Sequence, residues 1–332
     1  MSSLSNVAML APVVAGLSRA YPNDRFVVVA LKPLSALFYG LENVEYCEVK
    51  DDVKHLGGLW NLSKLLAAYK PAMLFDLQGD CRTRVLRLLM RRYHVPAVTI
   101  RSVKREQRAL LRSGHSLGLP LKAEAERYRE TMLEGGLQPT EVSSLMPVNQ
   151  EAVAKVEQVF GKKQGRWIGI APFAKYQSNM LPYKTMKEVI AYFAEQPDTR
   201  VFLFGAGHVE TEMLRQWSSL WPNVESVTNH LALDGELELM RQIDGLLCMD
   251  SANQHLAALV GCKMLSIWCG THPMMGFAAK GLSAADILSL PVSCRPCSVH
   301  GTNRCKYRNF ACKALTAEMI AERFEKLLHS EI

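Results

Sequence analysis

The sequence lacks an apolar run of the roughly 18 residues or more that a bilayer-spanning helix needs. The apolar stretch at residues 7–17 is short and contains Pro12, and no basic residue precedes it, so we expect no signal peptide and a cytoplasmic protein. A dinucleotide fingerprint is also missing, because the turn at residues 205–207 has no third glycine. This absence argues against a nucleotide-sugar dehydrogenase or epimerase.

What remains is ordinary globular composition in a chain long enough for two domains. Hydrophobic residues make up 48% of the 332 residues and charged residues 21%. Apolar runs typical of buried strands occur at residues 26–31, 72–75, 97–100, 167–171, 201–204, 245–249 and 263–268. Helical periodicity occurs between or after them, at residues 7–20, 59–68, 83–92, 123–135, 151–160, 183–195, 209–217, 235–243, 252–260 and 316–329.

Strands that alternate with helices predict parallel sheets, and hence two Rossmann-like, doubly wound α/β domains facing a central cleft. We expect the first domain over residues 1–150 and the second over 151–315, with a C-terminal helix in 316–332 that packs back toward the first. The ligand is expected in the cleft, at the carboxyl ends of the strands. Such a domain usually opens with a strand, whereas residues 1–4 lead straight into a helical pattern. The first strand is therefore expected to be missing.

The richest polar motif is MDSANQH at residues 249–255, where a predicted strand is followed by a predicted helix. Ser251 and Gln254 have the spacing of a capping box. The backbone N–H groups of that first helical turn suit a pyrophosphate, which His255 could also reach. Asp250, at the end of the strand, could accept hydrogen bonds from sugar hydroxyls. The alternative is that Asp250 and Ser251 only cap the helix and that His255 is a core residue.

A loop after the next predicted strand favours the ligand-binding interpretation. Residues 266–277 read SIWCGTHPMMGF, which places small and polar residues where a backbone can approach a ligand closely. Thr271 and His272 are the candidate contacts in this loop.

These two motifs resemble the donor site of glycosyltransferase family 9, the heptosyltransferases. Further segments resemble the same family, namely IAPFA at 170–174, LFGAG at 203–207, LPVSCRPCSV at 290–299, SSLSNVA at 2–8 and ERY at 126–128. The resemblance is dense over residues 165–315 and sparse before them.

The resemblance implies a GT-B architecture with an acceptor-binding N-terminal domain and a donor-binding C-terminal domain. It implies metal-independent, inverting transfer of heptose from ADP-heptose to the inner core of lipopolysaccharide, with no cofactor required for catalysis. Asp250 would hold heptose hydroxyls, while Ser251, Ala252 and His255 would bind the diphosphate. The other implied donor contacts are Pro172, Phe173, Gly205, Thr271 and His272.

Two positions depart from the family's pattern. The family's catalytic base is an Asp where Asn6 stands, and an amide cannot take a proton; loss of a general base typically costs roughly 10²–10⁴-fold in rate. The family's leaving-group lysine corresponds to Asn179. Lys175 is either a substitute phosphate cation or an ordinary exposed lysine. Asp76 and Asp80 are expected to cap loops or contact the acceptor rather than to replace the base.

Four of the nine cysteines form a cluster near the C-terminus: Cys294, Cys297, Cys305 and Cys312. Four thiolates are a complete ligand set for structural zinc. Reduced thiols and a local disulfide are the alternatives. The other five cysteines lie in apolar segments and are expected to be small core residues.

The formal net charge is +7, and basic residues cluster at Arg82, Arg84, Arg87, Arg91, Arg92, Arg101, Lys104, Arg105, Arg108 and Arg112. No nucleic-acid motif accompanies them, so we expect no nucleic acid as a partner and instead a surface facing a phosphorylated glycolipid at the inner membrane. Two functions stay open from the sequence. One is an active glycosyltransferase with an altered base, and the other is a catalytically silent paralogue that keeps its nucleotide-sugar site.

Overall fold

A computed structural model describes residues 3–30, 34–49, 53, 55–113, 120–142 and 146–330. The chain divides into two compact units, Met1–Arg105 with Lys122–Met146 and Glu106–Leu121 with Pro147–Ile332. The sequence predicted the domain boundary at residue 150. The cleft between the domains, and the packing of the C-terminal helix toward the first domain, stay predictions.

The first unit is built from short parallel strand pairs and helices. In chain order its elements are α1 (Leu4–Ala20), β1 (Phe26–Ala30), β2 (Val44–Glu48), α2 (Leu56–Ala68), β3 (Leu74–Asp76), α3 (Cys81–Met90), β4 (Ala97–Thr99) and α5 (Glu124–Glu134). Strand β1 pairs with β2 and β3 pairs with β4, both in parallel, and the two pairs belong to separate sheets. Helix α4 (Lys104–Ser113) begins at the end of this unit and continues into the second.

Helix α1 shows how the local sequence directs the first unit. The Ser3 hydroxyl accepts a hydrogen bond from the backbone N–H of Asn6, which caps the helix start. The buried face of the helix is apolar and includes Val7, Val14 and Leu17. A cavity of about 640 Å³ lies inside this unit, lined by residues of α1, α2, α3 and α5 together with β1 and β3.

The second unit is a doubly wound α/β domain. Its elements are α6 (Gln150–Phe160), β5 (Arg166–Ala171), α7 (Tyr183–Ala194), β6 (Thr199–Leu203), α8 (His208–Ser218), β7 (Val224–Ser226), α9 (Leu233–Gln242), β8 (Gly245–Met249), α10 (Ala252–Val260), β9 (Met264–Ile267), β10 (Ile287–Leu288) and α11 (Ala317–His329). The strand order is β10-β9-β8-β5-β6-β7, and every adjacent pair is parallel. Counted within the unit this is the order 3-2-1-4-5-6, typical of Rossmann domains.

The core of the second unit explains why its strands read as continuous apolar runs. All five residues of β8 are buried, as expected for a strand covered by helices on both faces. Helix α11 packs on α7 and β9, and the Phe324 and Phe193 ring centroids are 5.6 Å apart. Within the described ranges, no helix combines the length and the apolar character needed to cross a membrane.

The sheet order also identifies the position where a ligand is expected. Strands β5 and β8 are neighbours, but the chain leaves β5 toward β6 on one side and leaves β8 toward β9 on the other. Ligands of doubly wound sheets bind beyond the carboxyl ends of the strands at such a switch point. Here those ends are Ala171 and Met249.

Candidate functional site

Asp250 follows β8 directly and is the centre of a polar network at the switch point. Its Oδ2 accepts hydrogen bonds from Thr271 Oγ1 at 2.5 Å and from Asn179 Nδ2 at 3.1 Å. Its Oδ1 accepts from Gln254 Nε2 at 3.1 Å. A carboxylate offers about four acceptor positions. These three bonds therefore leave one position on Oδ1 for a further donor.

The pKa of the Asp250 carboxyl group depends on two opposing effects, burial and hydrogen bonding. Burial raises its pKa to about 6, while the bonds from Thr271 and Gln254 and the charge of Arg295 oppose the rise. The carboxylate is therefore largely ionised at pH 7. An ionised acceptor at a strand end can bind a hydroxyl group more strongly than a neutral one.

Helix α10 begins beside Asp250, as the sequence predicted, but without the expected capping box. Ser251 is the N-cap, and its hydroxyl accepts from the Asn253 N–H at 3.4 Å. The Gln254 side chain instead donates to Asp250 and accepts from the Ala279 N–H at 3.3 Å. The prediction of the box was wrong because the Gln254 oxygen, which would accept from the Ser251 N–H in a box, accepts from Ala279 instead. The N–H groups of the first turn and the helix dipole still suit an anion.

His255 lies in α10 and is only 5% exposed. Burial lowers its pKa to about 4, so the imidazole is neutral at pH 7. A neutral imidazole offers one N–H donor and no positive charge. The geometry therefore favours the core-residue alternative for His255, and diphosphate binding by its side chain stays a prediction.

The loop after β5 brings Asn179 to Asp250. Asn179 is 3% exposed, and its Nδ2 also donates to the His300 carbonyl at 3.0 Å. Its Oδ1 accepts from Ser178 Oγ at 2.8 Å. The Asn179 amide, which carries no charge, therefore connects its own loop to Asp250 and to the segment that contains His300. Lys175, in the same loop, is exposed, and its Nζ lies 5.3 Å from the centre of the Tyr176 ring. Lys175 is the cation that this loop can offer to a phosphate.

A buried arginine holds the loop that contains Thr271. Arg295 is 2% exposed, and its Nε and Nη2 donate to the Thr271 carbonyl at 3.1 and 2.7 Å. Its Nη1 donates to the Leu290 carbonyl at 2.8 Å. Burial lowers the pKa of Arg295. Sequence reasoning missed this residue, because its Cys-Arg-Pro-Cys motif was interpreted only through the cysteines.

Gly270 and His272, in the same loop, form hydrogen bonds within the protein. The Gly270 N–H donates to the Ser178 carbonyl at 2.8 Å, and a Cβ on Gly270 would lie 2.9 Å from Ser178 Cβ. His272 Nδ1 accepts from the Met274 N–H at 3.2 Å, which caps the 3-10 turn Pro273–Met275. A direct contact between His272 and the donor stays a prediction.

The candidates after β5 and β6 form an apolar wall. Pro172 and Phe173 are buried, and the Phe173 ring lies 5.7 Å from Trp217 and 6.2 Å from Tyr183. A Cβ on Gly205 would lie 2.9 Å from Leu214 Cδ1, so a larger residue here would displace the end of that buried side chain. These residues shape the surface beside the switch point, and their contact with a donor stays a prediction.

The four clustered cysteines do not form a metal site in the geometry observed. Burial is the main cause that raises the pKa of the Cys297 thiol to about 12. The charges of three other thiols add to the rise, namely those of Cys294, Cys312 and Cys305. Because these charges act on Cys297, the four thiols lie near one another. However, within the part of the chain that the structure describes, no group of three or more His, Cys, Asp or Glu side chains is arranged to hold a metal ion. All nine cysteines are free. Structural zinc and reduced thiols therefore both stay predictions.

The first unit contains the position that resembles the family's base. Asn6 lies in the first turn of α1 and lines the cavity of this unit. Asp76 is 5% exposed, and its Oδ1 accepts hydrogen bonds from the N–H groups of Gln78 and Gly79 at 3.1 and 2.9 Å. Its Oδ2 forms an ion pair with Arg87 Nε at 3.0 Å. Asp80 closes a capping box with Thr83 at the start of α3. Asp76 therefore caps a loop, as one of the two expectations had it, whereas Asp80 caps a helix; contact of either with the acceptor stays a prediction.

Solved structures resemble this chain over nearly its whole length. E. coli ADP-heptose lipopolysaccharide heptosyltransferase II has a TM-score of 0.73 at 15% identity, covering 99% of this chain and 96% of that one. The glycosyl transferase family 9 protein from Veillonella parvula DSM 2008 has a TM-score of 0.74 at 16% identity, with 98% and 95% covered. E. coli heptosyltransferase WaaC with ADP has a TM-score of 0.62 at 15% identity, with 98% of each chain covered. The fold is that of the GT-B glycosyltransferases.

The family follows from the sequence itself. The family model described as glycosyltransferase family 9 (heptosyltransferase) matches residues 53–307, which is well over half of the chain. The chain belongs to this family. No curated protein matches the sequence significantly.

Proposed function

We propose that this protein is an inverting glycosyltransferase that transfers heptose from ADP-heptose to the inner core of lipopolysaccharide. The observation that supports this most is the polar site at the β5–β8 switch point, where three donors hold Asp250 beside the start of α10. Membership of glycosyltransferase family 9 supports the reaction class. The fold shared with an ADP-heptose heptosyltransferase supports the choice of donor.

In this proposal the second unit binds both ends of the donor, the diphosphate and the heptose. The diphosphate lies at the start of α10, where Ser251 and Ala252 are partly exposed. The helix N-terminus stabilises an anion by about 0.3–1 kcal/mol, and up to about 2 kcal/mol when partly buried. Lys175 adds a positive charge. The remaining acceptor position of Asp250 Oδ1 takes one heptose hydroxyl.

The same residues supply the charge that the leaving group requires. The acceptor hydroxyl attacks the anomeric carbon from the face opposite the diphosphate, a new C–O bond forms, and the bond to the phosphate oxygen breaks. ADP leaves with the electron pair of that bond. Because α10 and Lys175 stabilise this negative charge, we expect transfer to persist in the presence of a metal chelator.

The proton of the acceptor hydroxyl passes to solvent water in this reaction. Asn6 stands where the family places its catalytic Asp, and an amide has no useful proton affinity at neutral pH. We therefore expect transfer to be slower by roughly 10²–10⁴-fold than with a carboxylate at this position. The surface basic residues of α4 would keep the enzyme near anionic lipid.

A second candidate function is a silent nucleotide-sugar-binding paralogue. Two observations favour it: Asn6 cannot act as a base, and the Asn179 amide is occupied by Asp250 and His300 instead of supplying charge. Donor binding would survive in such a protein, because the site around Asp250 is complete within the second unit.

One pair of experiments separates these possibilities. Calorimetry with ADP-heptose compares the protein with Asp250→Asn and with the control Asp198→Asn, an exposed position with positive φ that asparagine tolerates. Loss of a charged hydrogen bond of about 1.5–3 kcal/mol predicts an affinity at least about tenfold weaker for Asp250→Asn. Equal affinities for all three proteins would place the donor elsewhere.

The second experiment measures transfer to an inner-core acceptor by the protein and by Asn6→Asp. A gain of roughly 10²–10⁴-fold in Asn6→Asp supports an enzyme with an altered base. Donor binding without transfer in both proteins supports the silent paralogue. Ordinary rates in the unchanged protein, about 1–10³ per second, would show that another residue is the base.

A further inference from the structure

We propose that Cys294 and Cys297 are a thiol pair that forms a reversible disulfide, and that this disulfide weakens donor binding at Asp250. Both cysteines belong to the Cys-Arg-Pro-Cys motif at residues 294–297, which we call the thiol turn. The proposal rests on the proposed function, because it takes Asp250 as part of a donor site.

The two thiols of the thiol turn are in contact with each other. A side-chain hydrogen bond joins Cys297 to Cys294, and the Cys297 thiol also donates to the Cys294 carbonyl at 3.4 Å. Both cysteines are free. Cys297 is exposed and Cys294 is half-buried, so a small oxidant can reach the pair. Two cysteines separated by two residues form the reversible disulfide of many disulfide oxidoreductases.

The backbone between the two thiols holds the loop that contains Thr271. The Cys297 N–H donates to the Gly270 carbonyl at 2.8 Å. Arg295 donates through Nε and Nη2 to the Thr271 carbonyl at 3.1 and 2.7 Å. The Thr271 hydroxyl in turn donates to Asp250. The ring closed by the disulfide would therefore contain the backbone of the two residues that hold this loop.

The residues that follow the thiol turn hold the second loop of the Asp250 network. The Ser178 N–H donates to the Thr302 carbonyl at 2.9 Å, and the Thr302 N–H donates to Ser178 Oγ at 2.8 Å. The Asn179 amide donates to the His300 carbonyl at 3.0 Å and to Asp250 at 3.1 Å. Two of the three donors to Asp250 thus belong to loops that the thiol turn and its continuation position.

Oxidation changes the thiol turn in two ways. The Cys297 S–H is consumed, so the Cys294 carbonyl loses the donor that it has in the reduced form. The two sulfurs also move from hydrogen-bond contact to a covalent bond, and the backbone of residues 295–297 has to follow. Because that backbone carries the bonds to the Thr271 loop, we expect this loop to shift.

The oxidant of the pair is a low-molecular-weight disulfide, for which glutathione disulfide is the probe. One cysteine sulfur attacks a sulfur of the probe and releases one glutathione, and the second cysteine sulfur then displaces the other from the mixed disulfide. Two electrons pass from the cysteines to the probe. The two protons that the thiols lose are taken up by the two glutathione thiolates, and excess reduced glutathione reverses the reaction.

The test measures ADP-heptose binding by calorimetry on the full chain, equilibrated with reduced glutathione or with glutathione disulfide. Alkylation of the remaining thiols, followed by peptide mass spectrometry, should locate the disulfide between Cys294 and Cys297. The oxidised protein should bind ADP-heptose at least about fivefold more weakly, since coupling between two sites typically changes affinity roughly 5–150-fold. By linkage, saturating ADP-heptose should disfavour the disulfide by the same factor.

A double variant and a control separate the thiol turn from the other cysteines. Cys294→Ser combined with Cys297→Ser keeps a hydroxyl donor in the turn and removes both thiols, so its affinity should be the same in both glutathione conditions. Cys81→Ser removes an exposed thiol of the first unit and should respond to the oxidant as the unchanged protein does. A weaker affinity of the oxidised double variant would overturn the proposal, because other cysteines would then be responsible.

Amide hydrogen exchange separates a failure of this proposal from a failure of the proposed function. The Cys297 and Gly270 amides donate within the network, so oxidation should speed their exchange at least about fivefold. Faster exchange in a protein that binds no ADP-heptose would support the thiol switch and contradict the proposed donor. If oxidation changed neither ADP-heptose binding nor exchange, or if the thiols held zinc in the presence of glutathione disulfide, the switch would be refuted.

Discussion

Asp250 and His255 should control the pH dependence of the second unit's stability in opposite directions. Both lie at the start of α10, and burial shifts both pKa values, to about 6 from 3.8 for Asp250 and to about 4 from 6.5 for His255. The perturbations are Asp250→Asn and His255→Gln, made separately. Each removes one titration and leaves the other groups of the protein in place.

The sign for Asp250 follows from its raised pKa. Between pH 3.8 and about 6 the unfolded chain has lost the proton while the folded protein keeps it. The contribution is therefore fully present below pH 3.8 and is lost as pH rises through about 6. At about 1.4 kcal/mol per pH unit, the loss is about 3 kcal/mol.

The sign for His255 is the reverse, because its pKa is lowered. Below pH 6.5 the unfolded chain takes up a proton, which the folded protein resists down to about pH 4. This contribution is present above pH 6.5 and is lost as pH falls through about 4. Its size is again about 3 kcal/mol. In the unchanged protein the two contributions nearly offset each other across this range.

The assay is urea unfolding at a series of pH values from 4 to 7, followed by tryptophan fluorescence. A Trp60→Phe background leaves the signal to tryptophans of the second unit, which are Trp167, Trp217, Trp221 and Trp268. Between pH 4 and 6.5 the free energy of unfolding should rise by about 3 kcal/mol in Asp250→Asn, relative to the unchanged protein, and fall by about the same amount in His255→Gln.

The control is Asp198→Asn, which replaces an exposed carboxylate and should leave the pH profile unchanged. Any altered hydrogen bonding in the variants adds an offset that does not depend on pH, so only the slopes matter. Parallel curves for all four proteins would refute the reasoning, because they would mean that neither group changes its proton affinity on folding.

Three further outcomes are expected. Gly270→Ala should destabilise the protein by about 1–3 kcal/mol in urea unfolding, because its Cβ would lie 2.9 Å from Ser178 Cβ. The control is Gly57→Ala, in open space in the first turn of α2, which should not destabilise it. Lys175→Ala should weaken ADP-heptose binding about fivefold in calorimetry with an unchanged melting temperature, as the side chain is exposed. Three arginines of α4 are exposed, namely Arg105, Arg108 and Arg112. Because each basic charge contributes about 1 kcal/mol to binding of an anionic membrane, replacing all three by Gln should weaken binding to anionic vesicles about 100-fold in cosedimentation.

Most of the fold could be predicted from periodicity, because the central strands of the second unit are buried on both faces. Strands β5, β6, β8 and β9 read as apolar runs and were found within a few residues of their bounds. The strands that were missed are short or lie at the border of a sheet. In β2 (Val44–Glu48) two glutamates interrupt the apolar residues, and β10 (Ile287–Leu288) has only two residues. Helix α4 was missed because arginines dominate it, although Leu110 packs against Met274 and Met275.

The candidate site could be predicted only where its residues are neighbours in sequence. Asp250 and Ser251 follow from the change of strand to helix. The partners of Asp250 could not be found in that way, because Asn179 and Thr271 lie 71 and 21 residues away along the chain. Arg295 stabilises the Thr271 backbone from 24 residues away. A single sequence does not contain these pairings, since the sheet order brings the loops together.

The network around Asp250 also determines how its chemistry can be tested. Asp250→Asn removes the charge and also places an amide where Thr271 and Asn179 need an acceptor, so this variant alone does not separate a lost charge from a displaced loop. Thr271→Val removes one donor and keeps the carboxylate. Because the Thr271 bond holds the pKa of Asp250 down, its loss should raise that pKa above about 6, so that less of the carboxylate is ionised near neutral pH.

Donor binding should report this change directly. In the proposed complex only the ionised carboxylate accepts the heptose hydroxyl on Oδ1 while Gln254 donates to the same oxygen. The affinity of Thr271→Val for ADP-heptose should therefore fall as pH decreases from 8 to 7, whereas that of the unchanged protein, with a pKa of about 6, stays nearly constant. Thr271→Ser keeps the hydroxyl and is the matched control. If calorimetry gave the same pH profile for Val and Ser at this position, the charge of Asp250 would not contribute to donor binding, and its carboxylate would serve only to join the loops.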